Sequence, residues 1–474
     1  MPHIALKTCG VSFGTSGVRG LVTDLTDAIC YAYAQAFIAA VGNPSRIIIG
    51  HDLRPSSPQI TAACAQACAD LGIEVIYVGA LPTPAIAYYA MQQQAPSIVV
   101  TGSHIPFDRN GIKFYRAEGE ITKADEAAIL ATEIDVPEDL APAELADVDG
   151  AAGASYLRRY LDFFPADLCA GLKIAIYQHS SVARDLLSEL FSELGAKVIH
   201  LGRADTFVPI DTEAVRPEDV AQAQAWAAEY GFDLIVSTDG DADRPLIGDE
   251  KGNWLRGDVV GVLCANALGI ESVVTPVSSN TVLERSGWFS QVIRTRIGSP
   301  YVLAGMDEAS GIVAGYEANG GFLLGSDISH YGVSLKALPT RDAVLPMLAL
   351  ISLARAAGAP ISSLPSSLPA RFTASDRIPG IPTDWSLQRV KDLAAGELAF
   401  TDLTQMDLGE VASVDNTDGL RTTFANGNIV HLRPSGNAPE LRCYVEADSV
   451  SQAQELCHQV LANISSFYQK NQGL

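Results

Sequence analysis

Three carboxylates at alternate positions form a compact cluster of side chains that could bind a metal. Asp239, Asp241 and Asp243 follow an apolar stretch, residues 233–237, that is typical of a buried strand. Carboxylates this close repel one another unless a cation lies between them, and Mg²⁺ is held in proteins by a few carboxylates together with water or phosphate oxygens. The cluster therefore predicts a magnesium site at the end of a strand.

The same residues also match part of a calcium-binding EF-hand loop. The three aspartates would fill its first, third and fifth positions, and Glu250 would fill its twelfth. Two features oppose this interpretation: the sixth position needs glycine but is Arg244, and a strand rather than a helix leads into the segment. A solvated acidic turn is the other alternative. We favour the magnesium site over both.

A second apolar segment ends in a serine that could act as a nucleophile. Residues 97–100 predict a buried strand, and the loop that follows contains Ser103 and His104. Gly102 allows the backbone to turn sharply there, and Pro106 stops a helix from running through the loop. We expect Ser103 to be exposed at a strand end, where ligands of open α/β sheets bind. The alternative is an ordinary loop with a solvated serine.

Two glycine-containing segments carry basic side chains. Asn110-Gly111 predicts a tight turn into a returning strand, residues 112–115, which carries Lys113. Residues 14–20 form a loop whose backbone amides could face an anion, with Arg19 adding a positive charge. Its spacing matches neither a Walker loop nor a dinucleotide fingerprint, and glycine-rich loops are common, so this signal is weak alone.

Two later turns contain side chains suited to a sugar and to a phosphate. Glu317 and Asn319 follow a predicted strand, and such groups can form paired hydrogen bonds with neighbouring sugar hydroxyls. Arg433 can bind a phosphate with two parallel hydrogen bonds. A polar turn and a surface hairpin are the respective alternatives. The other candidate phosphate ligands surround Arg433: Ser435, Gly436, Asn437 and Arg442.

The segments around these residues alternate between strand-like and helix-like patterns. This alternation recurs three times and predicts mostly parallel sheets with helices on their faces. The last segment instead predicts short hairpin strands and a closing helix. We therefore predict an α/β fold with four domains around a central cleft: three tandem α/β mixed-sheet units of one topology and a smaller α+β unit, at residues 1–150, 151–256, 257–370 and 371–474.

Composition limits the classes of partner and the compartment. The formal net charge of −23 repels nucleic acid and anionic lipid, so we expect neither nucleic acid nor a membrane as a partner. A phosphorylated ligand would bind only where arginine and lysine are concentrated. The eight cysteines form no Cys-x-x-Cys pair, and the first ten residues lack the pattern of a secretory signal. We therefore expect a cytoplasmic protein.

Four motifs occur in chain order, one in each predicted domain. They are Thr101–Pro106, Asp239–Arg244, the turn at Glu317 and the turn at Arg433. In these motifs the chain resembles the α-D-phosphohexomutase superfamily, and within it the phosphomannomutase and phosphoglucomutase branch. The resemblance covers essentially the whole chain.

The resemblance implies a role for each candidate residue. Ser103 would carry a phosphoryl group, and the three aspartates would bind one Mg²⁺ together with an oxygen of that phosphoserine. Arg19, Lys113, His104 and Arg244 would surround the reacting group, with Lys113 as acid/base or charge stabiliser. The hexose would be oriented by Glu317 and Asn319. The phosphate that is not transferred would be held by Arg433, Ser435, Gly436, Asn437 and Arg442.

The implied activity is the interconversion of hexose 1-phosphate and hexose 6-phosphate. The reaction would pass through phosphoserine and a hexose 1,6-bisphosphate, which would also serve as activator. Mannose phosphate is the expected substrate, and glucose or glucosamine phosphate are the alternatives within the superfamily. Alternatives of other classes are a non-catalytic phosphosugar-binding protein and a phosphatase. We expect a monomer or a homodimer with a phosphosugar as its ligand.

Overall fold

The computed structural model describes residues 3–14, 17–330, 332–435 and 439–471. Within them, the first three domains repeat one sheet arrangement. In each, a central strand pairs in parallel with two neighbours, and one neighbour turns back into an antiparallel strand. The predicted fold class, three α/β units of one topology followed by a smaller α+β unit, is confirmed.

The first domain contains the strand that leads to Ser103. Its main sheet has the order β2-β3-β7-β6-β4-β5, with β8 beside β7 and a separate β1–β9 pair. The strands are β1 His3–Ala5, β2 Ser12–Gly14, β3 Gly17–Leu21, β4 Arg46–His51, β5 Glu74–Ala80, β6 Ser97–Val100, β7 Arg109–Arg116, β8 Gly119–Glu120 and β9 Glu133–Asp135. The helices are α1 Asp27–Ala40, α2 Ser57–Asp70, α3 Thr83–Gln92 and α4 Lys123–Ala131, with a 3₁₀ helix at Leu6–Thr8.

The second domain contains the strand that leads to the aspartate cluster. Its sheet order is β11-β10-β12-β13, and the antiparallel pair β12–β13 flanks the cluster. The strands are β10 Lys173–His179, β11 Lys197–Arg203, β12 Leu234–Thr238 and β13 Pro245–Gly248. The helices are α5 Ala151–Leu161, α6 Arg184–Glu193 and α7 Pro217–Tyr230.

The third domain repeats the plan and adds a strand. Its sheet order is β15-β14-β16-β17-β20, with β18 and β19 in a separate hairpin. The strands are β14 Ser272–Pro276, β15 Gln291–Thr295, β16 Val313–Tyr316, β17 Phe322–Leu324, β18 Ile328–His330, β19 Val333–Leu335 and β20 Leu338–Asp342. The helices are α8 Gly257–Ala267, α9 Val282–Arg285, α10 Ser299–Glu308 and α11 Val344–Ala357, followed by a 3₁₀ helix at Ile361–Ser367.

The fourth domain is an antiparallel sheet covered by helices, as predicted for the last segment. The sheet order is β21-β25-β24-β23-β22. The strands are β21 Phe372–Pro379, β22 Val411–Asp415, β23 Leu420–Phe424, β24 Ile429–Pro434 and β25 Glu440–Ala447. The helices are α12 Thr383–Ala395, α13 Phe400–Thr404 and α14 Val450–Asn471.

Equivalent loops of the first three domains carry the candidate residues. Ser103 lies between β6 and β7, the aspartates between β12 and β13, and Glu317 between β16 and β17. Each loop follows the carboxyl end of a strand that is paired in parallel with the central strand. The repeated topology therefore places a serine, an aspartate cluster and a glutamate at equivalent positions of the three domains.

The tight turn predicted at Asn110-Gly111 is wrong, because both residues lie inside strand β7. A glycine is needed there for close packing rather than for turning. A Cβ atom on Gly111 would lie 2.5 Å from the carbonyl oxygen of Val18 in the neighbouring strand β3. The Asn110 side chain instead donates hydrogen bonds to Ser56 Oγ at 2.9 Å and Ser57 Oγ at 3.0 Å.

The second and third domains share one continuous hydrophobic cluster, which includes Tyr156, Leu187, Val262 and Leu348. The first and fourth domains have clusters of their own. No single helix in the described ranges is long and apolar enough to cross a membrane, although the bent pair Val344–Ala357 and Ile361–Ser367 reaches the necessary length and composition.

Candidate active site

Ser103 lies at the centre of the site, but it is not exposed as expected. Its residue surface is 1% accessible, because the loop between β6 and β7 is covered by the aspartate loop of the second domain. Its Oγ donates a hydrogen bond to Asp239 Oδ2 at 2.5 Å. Its φ of 51° lies in the left-handed region, which is rare for residues other than glycine. The surrounding structure therefore imposes a strained backbone on this serine.

Arg54 imposes that conformation from behind the loop. Its guanidinium donates to the carbonyl oxygens of Ser103 at 2.9 Å and Ile105 at 2.5 Å, and it lies over the Phe207 ring at 3.8 Å. A Cβ atom on Gly102 would come within 2.5 Å of Arg54 Cζ, so glycine is required by this close approach. The buried arginine therefore holds the backbone of the Ser103 loop in this conformation.

Asp52 completes the support of this loop. Its carboxylate pairs with Arg54 Nε at 3.3 Å and accepts a hydrogen bond from Thr101 Oγ1 at 2.8 Å. Sequence analysis did not assign Asp52 or Arg54 to the site. The available signal was a pair of charged residues directly after strand β4, in a segment that is otherwise apolar.

The three aspartates are buried together, and one oxygen of each is held by a neighbour. Their nearest carboxylate oxygens all lie within 4.8 Å of one another. Lys113 Nζ contacts Asp241 Oδ2 at 2.6 Å and Asp243 Oδ2 at 2.7 Å. Thr83 Oγ1, which sequence analysis did not single out, donates to Asp241 Oδ2 at 2.5 Å.

The opposite oxygens of two of these carboxylates are left for a cation. Asp241 Oδ1 and Asp243 Oδ1 are buried and accept no hydrogen bond from any described residue. A buried carboxylate oxygen without a donor is costly unless a metal or water satisfies it. Hard oxygen donors beside Ser103 suit Mg²⁺, so these residues fit the predicted metal.

Both alternatives for the aspartate segment are wrong. Asp239, Asp241 and Asp243 are at most 1% accessible, which excludes a solvated turn. Glu250, the twelfth residue of an EF-hand, lies apart from the cluster, and its carboxylate accepts hydrogen bonds from Ser362 Oγ and the Ser362 backbone amide.

Burial and charge give the carboxylates different proton affinities. Burial, with repulsion from Asp241 and Asp243, raises the pKa of Asp239 well above its usual range. Burial alone would raise the pKa of Asp243 as well, but Arg341 and Lys113 hold it below its usual range. For Lys113, the loss of hydration is outweighed by Asp241 and Asp243, so its pKa is raised. Lys113 therefore remains a charged ammonium.

His104 and Arg244 contact each other beside Ser103. Arg244 Nη1 donates to His104 Nδ1 at 2.8 Å, so this nitrogen is an acceptor. Burial, and then the positive charge of Arg244, lower the pKa of His104 to about 3. Arg19 is half-buried nearby, and burial together with Arg244 and Arg341 lowers its pKa to about 10. The reacting centre is therefore rich in fixed positive charge.

The predicted sugar turn joins this centre through an arginine that sequence analysis missed. Glu317 Oε2 accepts a hydrogen bond from Arg341 Nη1 at 2.8 Å, and Arg341 Nη2 contacts Asp243 Oδ2 at 2.7 Å. The oxygen of the Asn319 side chain is used within the turn, where it accepts from the Gly321 amide at 2.9 Å. Glu317 and the remaining Asn319 amide are therefore the polar groups of this turn.

The fourth domain contributes a separate basic group. Arg433 Nε contacts Asp418 Oδ2 at 3.0 Å, and Arg442 Nε donates to Glu440 Oε1 at 2.8 Å. Ser435 is buried, and its amide donates to the Glu440 carbonyl oxygen at 2.9 Å. Two other predicted ligands, Gly436 and Asn437, lie outside the described residues.

The structure thus brings seven of the predicted residues into direct contact: Ser103, His104, Lys113, Asp239, Asp241, Asp243 and Arg244. Among the described residues, no hydrogen bond or ion pair joins Arg433 or Arg442 to the group around Ser103. The two groups are linked electrostatically through Glu213 of the second domain. Burial and the neighbouring Asp211 raise the pKa of Glu213, and Arg442 of the fourth domain, Arg256 and Arg244 oppose that rise.

Comparisons with known proteins match all four domains. The chain matches models of the phosphoglucomutase/phosphomannomutase family: alpha/beta/alpha domain I over residues 10–136, domain II over 155–252, domain III over 256–372 and the C-terminal domain over 388–463. Together these matches cover most of the chain.

Curated relatives match over nearly their full lengths. A Salmonella muenchen phosphomannomutase is 46% identical over 467 residues, which covers 97% of this chain and 97% of that protein. A Sinorhizobium fredii phosphomannomutase is 45% identical over 472 residues, which covers 96% and 99%.

Solved structures share the fold at lower identity. A phosphoglucomutase/phosphomannomutase family protein from Burkholderia thailandensis superposes with a TM-score of 0.72 at 19% identity, covering 96% of each chain. Aspergillus fumigatus N-acetylphosphoglucosamine mutase, 13% identical, was determined as an S69A variant with glucose 1,6-bisphosphate (TM-score 0.60, covering 97% and 95%) and with GlcNAc-6P and magnesium (TM-score 0.59, covering 95% of each). From its four domain matches and its near-complete relatives, the chain belongs to the phosphoglucomutase/phosphomannomutase family.

Proposed function

We propose that this enzyme is a phosphomannomutase, which interconverts mannose 1-phosphate and mannose 6-phosphate through phosphoserine and mannose 1,6-bisphosphate. The observation that carries this proposal is Ser103, whose Oγ is held at 2.5 Å from a buried aspartate and surrounded by fixed cations. The phosphomannomutases from Salmonella muenchen and Sinorhizobium fredii support mannose as the hexose.

Ser103 is proposed to carry the phosphoryl group between two sugar oxygens. Phosphoserine donates its phosphoryl group to the free hydroxyl of the hexose phosphate: a new bond forms between the sugar oxygen and phosphorus while the bond from phosphorus to Ser103 Oγ breaks. The proton lost by the sugar hydroxyl is balanced by the proton gained at Ser103 Oγ, which is released as a hydroxyl as the bisphosphate forms. After the bisphosphate has turned round, its other phosphate is returned to Ser103. Such transfer requires positioning and charge compensation rather than covalent chemistry by other side chains.

The cations around Ser103 are proposed to compensate the charge of the transferred group. Lys113 is proposed as a charge stabiliser, because Asp241 Oδ2 at 2.6 Å and Asp243 Oδ2 at 2.7 Å hold its ammonium group in the aspartate cluster beside Ser103. Arg19 and Arg244 supply further positive charge beside it. His104 remains neutral at neutral pH, since its pKa is about 3, and its Nδ1 keeps the Arg244 guanidinium in place.

Mg²⁺ is the proposed metal. Asp239, Asp241 and Asp243 would hold it with a Ser103 oxygen, and the Oδ1 atoms of Asp241 and Asp243, which are buried and accept no hydrogen bond from a described residue, support this assignment. Bound there, the ion would neutralise charge on the phosphoryl oxygens. A hexose 1,6-bisphosphate is the proposed activator, because it can phosphorylate Ser103.

The other two turns are proposed to hold the substrate. Glu317 and the amide of Asn319 would orient the hexose hydroxyls. The phosphate that is not transferred would be bound by the fourth domain, whose approach would exclude water from phosphoserine. The residues proposed for that phosphate are Arg433, Ser435, Gly436, Asn437 and Arg442.

The proposal also covers the domain boundaries, the oligomeric state and the cellular location of the enzyme. We propose domain boundaries at residues 1–150, 151–256, 257–370 and 371–474, a monomer or homodimer, and a cytoplasmic location. The eight cysteines are free thiols, which supports a reducing compartment.

Substrate conversion tests the proposal directly. The protein is incubated with Mg²⁺, a trace of hexose 1,6-bisphosphate and the 1-phosphate of mannose, glucose or glucosamine, and each 6-phosphate is quantified. We expect the highest catalytic efficiency with mannose 1-phosphate. Preference for glucosamine 1-phosphate would favour the phosphoglucosamine mutase alternative, and preference for glucose 1-phosphate would favour phosphoglucomutase.

The same assay separates the alternatives of other classes. A phosphatase would release inorganic phosphate instead of the isomer. A non-catalytic phosphosugar-binding protein would bind the substrates without converting them and would show no phosphoserine by intact mass. Either result would contradict the proposed function.

A further inference from the structure

Arg341 connects two carboxylates that belong to different parts of the proposed site. It lies near the end of strand β20 in the third domain, with its side chain 3% accessible. Nε and Nη2 contact Asp243 Oδ2 at 3.0 and 2.7 Å, and Nη1 contacts Glu317 Oε2 at 2.8 Å. One guanidinium therefore contacts both an aspartate of the metal cluster and the carboxylate proposed to orient the hexose.

The backbone beside Arg341 is fixed from the second domain. Asp342 accepts hydrogen bonds from Tyr156 Oη at 2.6 Å and from Tyr160 Oη, and both tyrosines belong to helix α5. Asp342 also accepts the Val344 amide at 2.9 Å, at the start of helix α11. Arg341 therefore extends from a strand end whose neighbouring residue is held in place by hydrogen bonds.

The sugar turn leaves space for this arginine. A Cβ atom on Gly321 would lie 2.6 Å from Arg341 Cδ and 2.8 Å from its Cγ. The φ of Gly321 does not lie in the left-handed range, so another residue could adopt its backbone conformation. The absence of a side chain at Gly321 is therefore explained by the need to accommodate Arg341.

The contacts of Arg341 determine which oxygens remain available. Together with Lys113, it occupies Asp243 Oδ2, whereas Asp243 Oδ1 accepts no hydrogen bond from a described residue and has only Arg244 Nε as a charged neighbour, at 3.6 Å. At Glu317 it donates a hydrogen bond to Oε2 at 2.8 Å. A planar guanidinium can donate to two carboxylates at once in fixed directions, whereas a lysine ammonium is a point charge.

We propose that Arg341 is a positioning residue that couples recognition of the hexose to binding of the metal. A movement of Glu317 is then transmitted to Asp243 through the shared guanidinium. Binding of the hexose reduces the mobility of the metal ligand Asp243, and binding of the metal reduces the mobility of Glu317. This inference rests on the proposed function. By linkage, such coupling is reciprocal: substrate tightens Mg²⁺ binding by the same factor by which Mg²⁺ tightens substrate binding.

The test measures Mg²⁺ affinity by calorimetry, with and without saturating mannose 1-phosphate. We expect mannose 1-phosphate to tighten Mg²⁺ binding severalfold in the unmodified protein. Arg341→Lys keeps the positive charge but loses the planar guanidinium that contacts both carboxylates. In this variant the ratio of the Mg²⁺ affinities measured with and without mannose 1-phosphate should fall close to one. The KM for mannose 1-phosphate should rise about tenfold or more, a range typical of residues that orient binding groups.

Two further variants keep the inference testable if the lysine protein folds poorly. Gly321→Ala retains the arginine but displaces it by steric contact, so it should also reduce the coupling factor. Arg341→Ala should recover part of its activity when guanidinium ion is added, whereas urea should have no effect. Arg294→Lys is the matched control, because Arg294 of the third domain donates forked hydrogen bonds to Glu284 Oε1 at 2.7 Å and Oε2 at 2.8 Å, and none of its described hydrogen bonds reaches a residue of the proposed site.

The outcomes separate this inference from the proposed function. An unchanged coupling factor in both Arg341→Lys and Gly321→Ala would overturn the role of Arg341, even if the unmodified enzyme converts mannose 1-phosphate. Absence of coupling in the unmodified protein would overturn it as well. Lack of turnover with every hexose phosphate would instead refute the proposed function, and the binding measurement would still report on Arg341.

Discussion

At the scale of single residues, the site depends on which oxygen of each carboxylate is already engaged. The Oδ2 atom of Asp241 accepts from Thr83 and Lys113, and that of Asp243 accepts from Lys113 and Arg341. Asp239 Oδ2 accepts from Ser103. The donors come from the first and third domains, so a cation site in the second domain is oriented by its neighbours.

Ser103→Ala tests the residue on which the proposed chemistry depends. Mutase activity should fall by orders of magnitude, because no other oxygen is placed to carry the phosphoryl group. The fold should survive, since loss of one hydrogen bond to a charged group costs about 1–3 kcal/mol. Activity is measured with mannose 1-phosphate, phosphoserine by intact mass, and stability by thermal unfolding.

Ser97→Ala is the matched control for Ser103→Ala. Ser97 is a buried serine of strand β6, and its Oγ has no hydrogen-bond partner among the described residues. Removing that hydroxyl should leave activity unchanged and should not lower the unfolding temperature. Full activity in Ser103→Ala would refute the phosphoserine mechanism.

Sequence patterns predicted site residues that are close together in the sequence at the end of a strand. They missed residues that lie far away in the sequence and reach the site only in the folded protein. The alternate spacing of Asp239, Asp241 and Asp243 has a direct chemical meaning, so it was informative alone. Thr83 and Arg341 lie far from the aspartates in the sequence, and only folding brings them to the cluster. Burial of Ser103 was also unpredictable, because the covering loop belongs to another domain.

At the scale of elements, close packing of two strands in the first domain places two of the basic side chains of the site. Strand β3 carries Arg19, and its neighbour β7 carries Lys113. Arg19 pairs in register with Gly111, where the two backbones approach closely. Asn-Gly predicted a turn at this position because close packing and turning favour the same residue, and sequence cannot separate the two causes.

Gly111→Ala tests the packing of β3 against β7. The new Cβ would lie 2.5 Å from the Val18 carbonyl oxygen and 2.9 Å from that of Thr101, and neither backbone group can rotate away. The strands should separate, at a cost of about 1–3 kcal/mol or more. We expect a lower unfolding temperature together with a lower kcat, because Arg19 would move relative to Lys113.

Gly150→Ala is the control, because it replaces a glycine by alanine at a position without close neighbours. Gly150 precedes helix α5, and a Cβ atom there would meet nothing within 4 Å. Its stability should change by no more than about 0.5 kcal/mol, as for most surface substitutions. If Gly111→Ala changed stability and kcat as little as Gly150→Ala, the close approach of β3 and β7 would not be needed to place Arg19.

At the scale of the whole molecule, the fourth domain is joined to the third by polar contacts rather than by a shared hydrophobic cluster. The second and third domains share a hydrophobic cluster, whereas the fourth has its own. Polar contacts join it to the third domain: Glu446 accepts the Thr281 amide at 2.9 Å, and Asp418 accepts the Ile297 amide at 2.9 Å. Hairpin signals predicted the fold of this domain, but its attachment depends on residues distant in sequence.

Glu446→Gln tests this attachment. Glu446 is buried and pairs with Arg371 at 2.7 Å while it also receives the Thr281 amide and hydroxyl. Arg371 keeps Asp448 as a partner, so the expected loss comes from the weaker hydrogen bonds that a neutral side chain accepts from Arg371 and Thr281, and hydrogen bonds to charged groups contribute about 1.5–3 kcal/mol. The fourth domain should therefore dock less firmly on the third.

The expected result is faster proteolysis of the connector at residues 368–371 and a higher KM for mannose 1-phosphate, because the proposed phosphate ligands would be less well placed. Asp448→Asn is the control: Asp448 pairs with the same arginine at 2.6 Å, but its side chain is 68% accessible and touches nothing described in the third domain. Exposed ion pairs contribute little, about 0–1 kcal/mol, so this variant should behave like the unmodified enzyme. Equal proteolysis of both variants would show that Glu446 does not hold the fourth domain against the third.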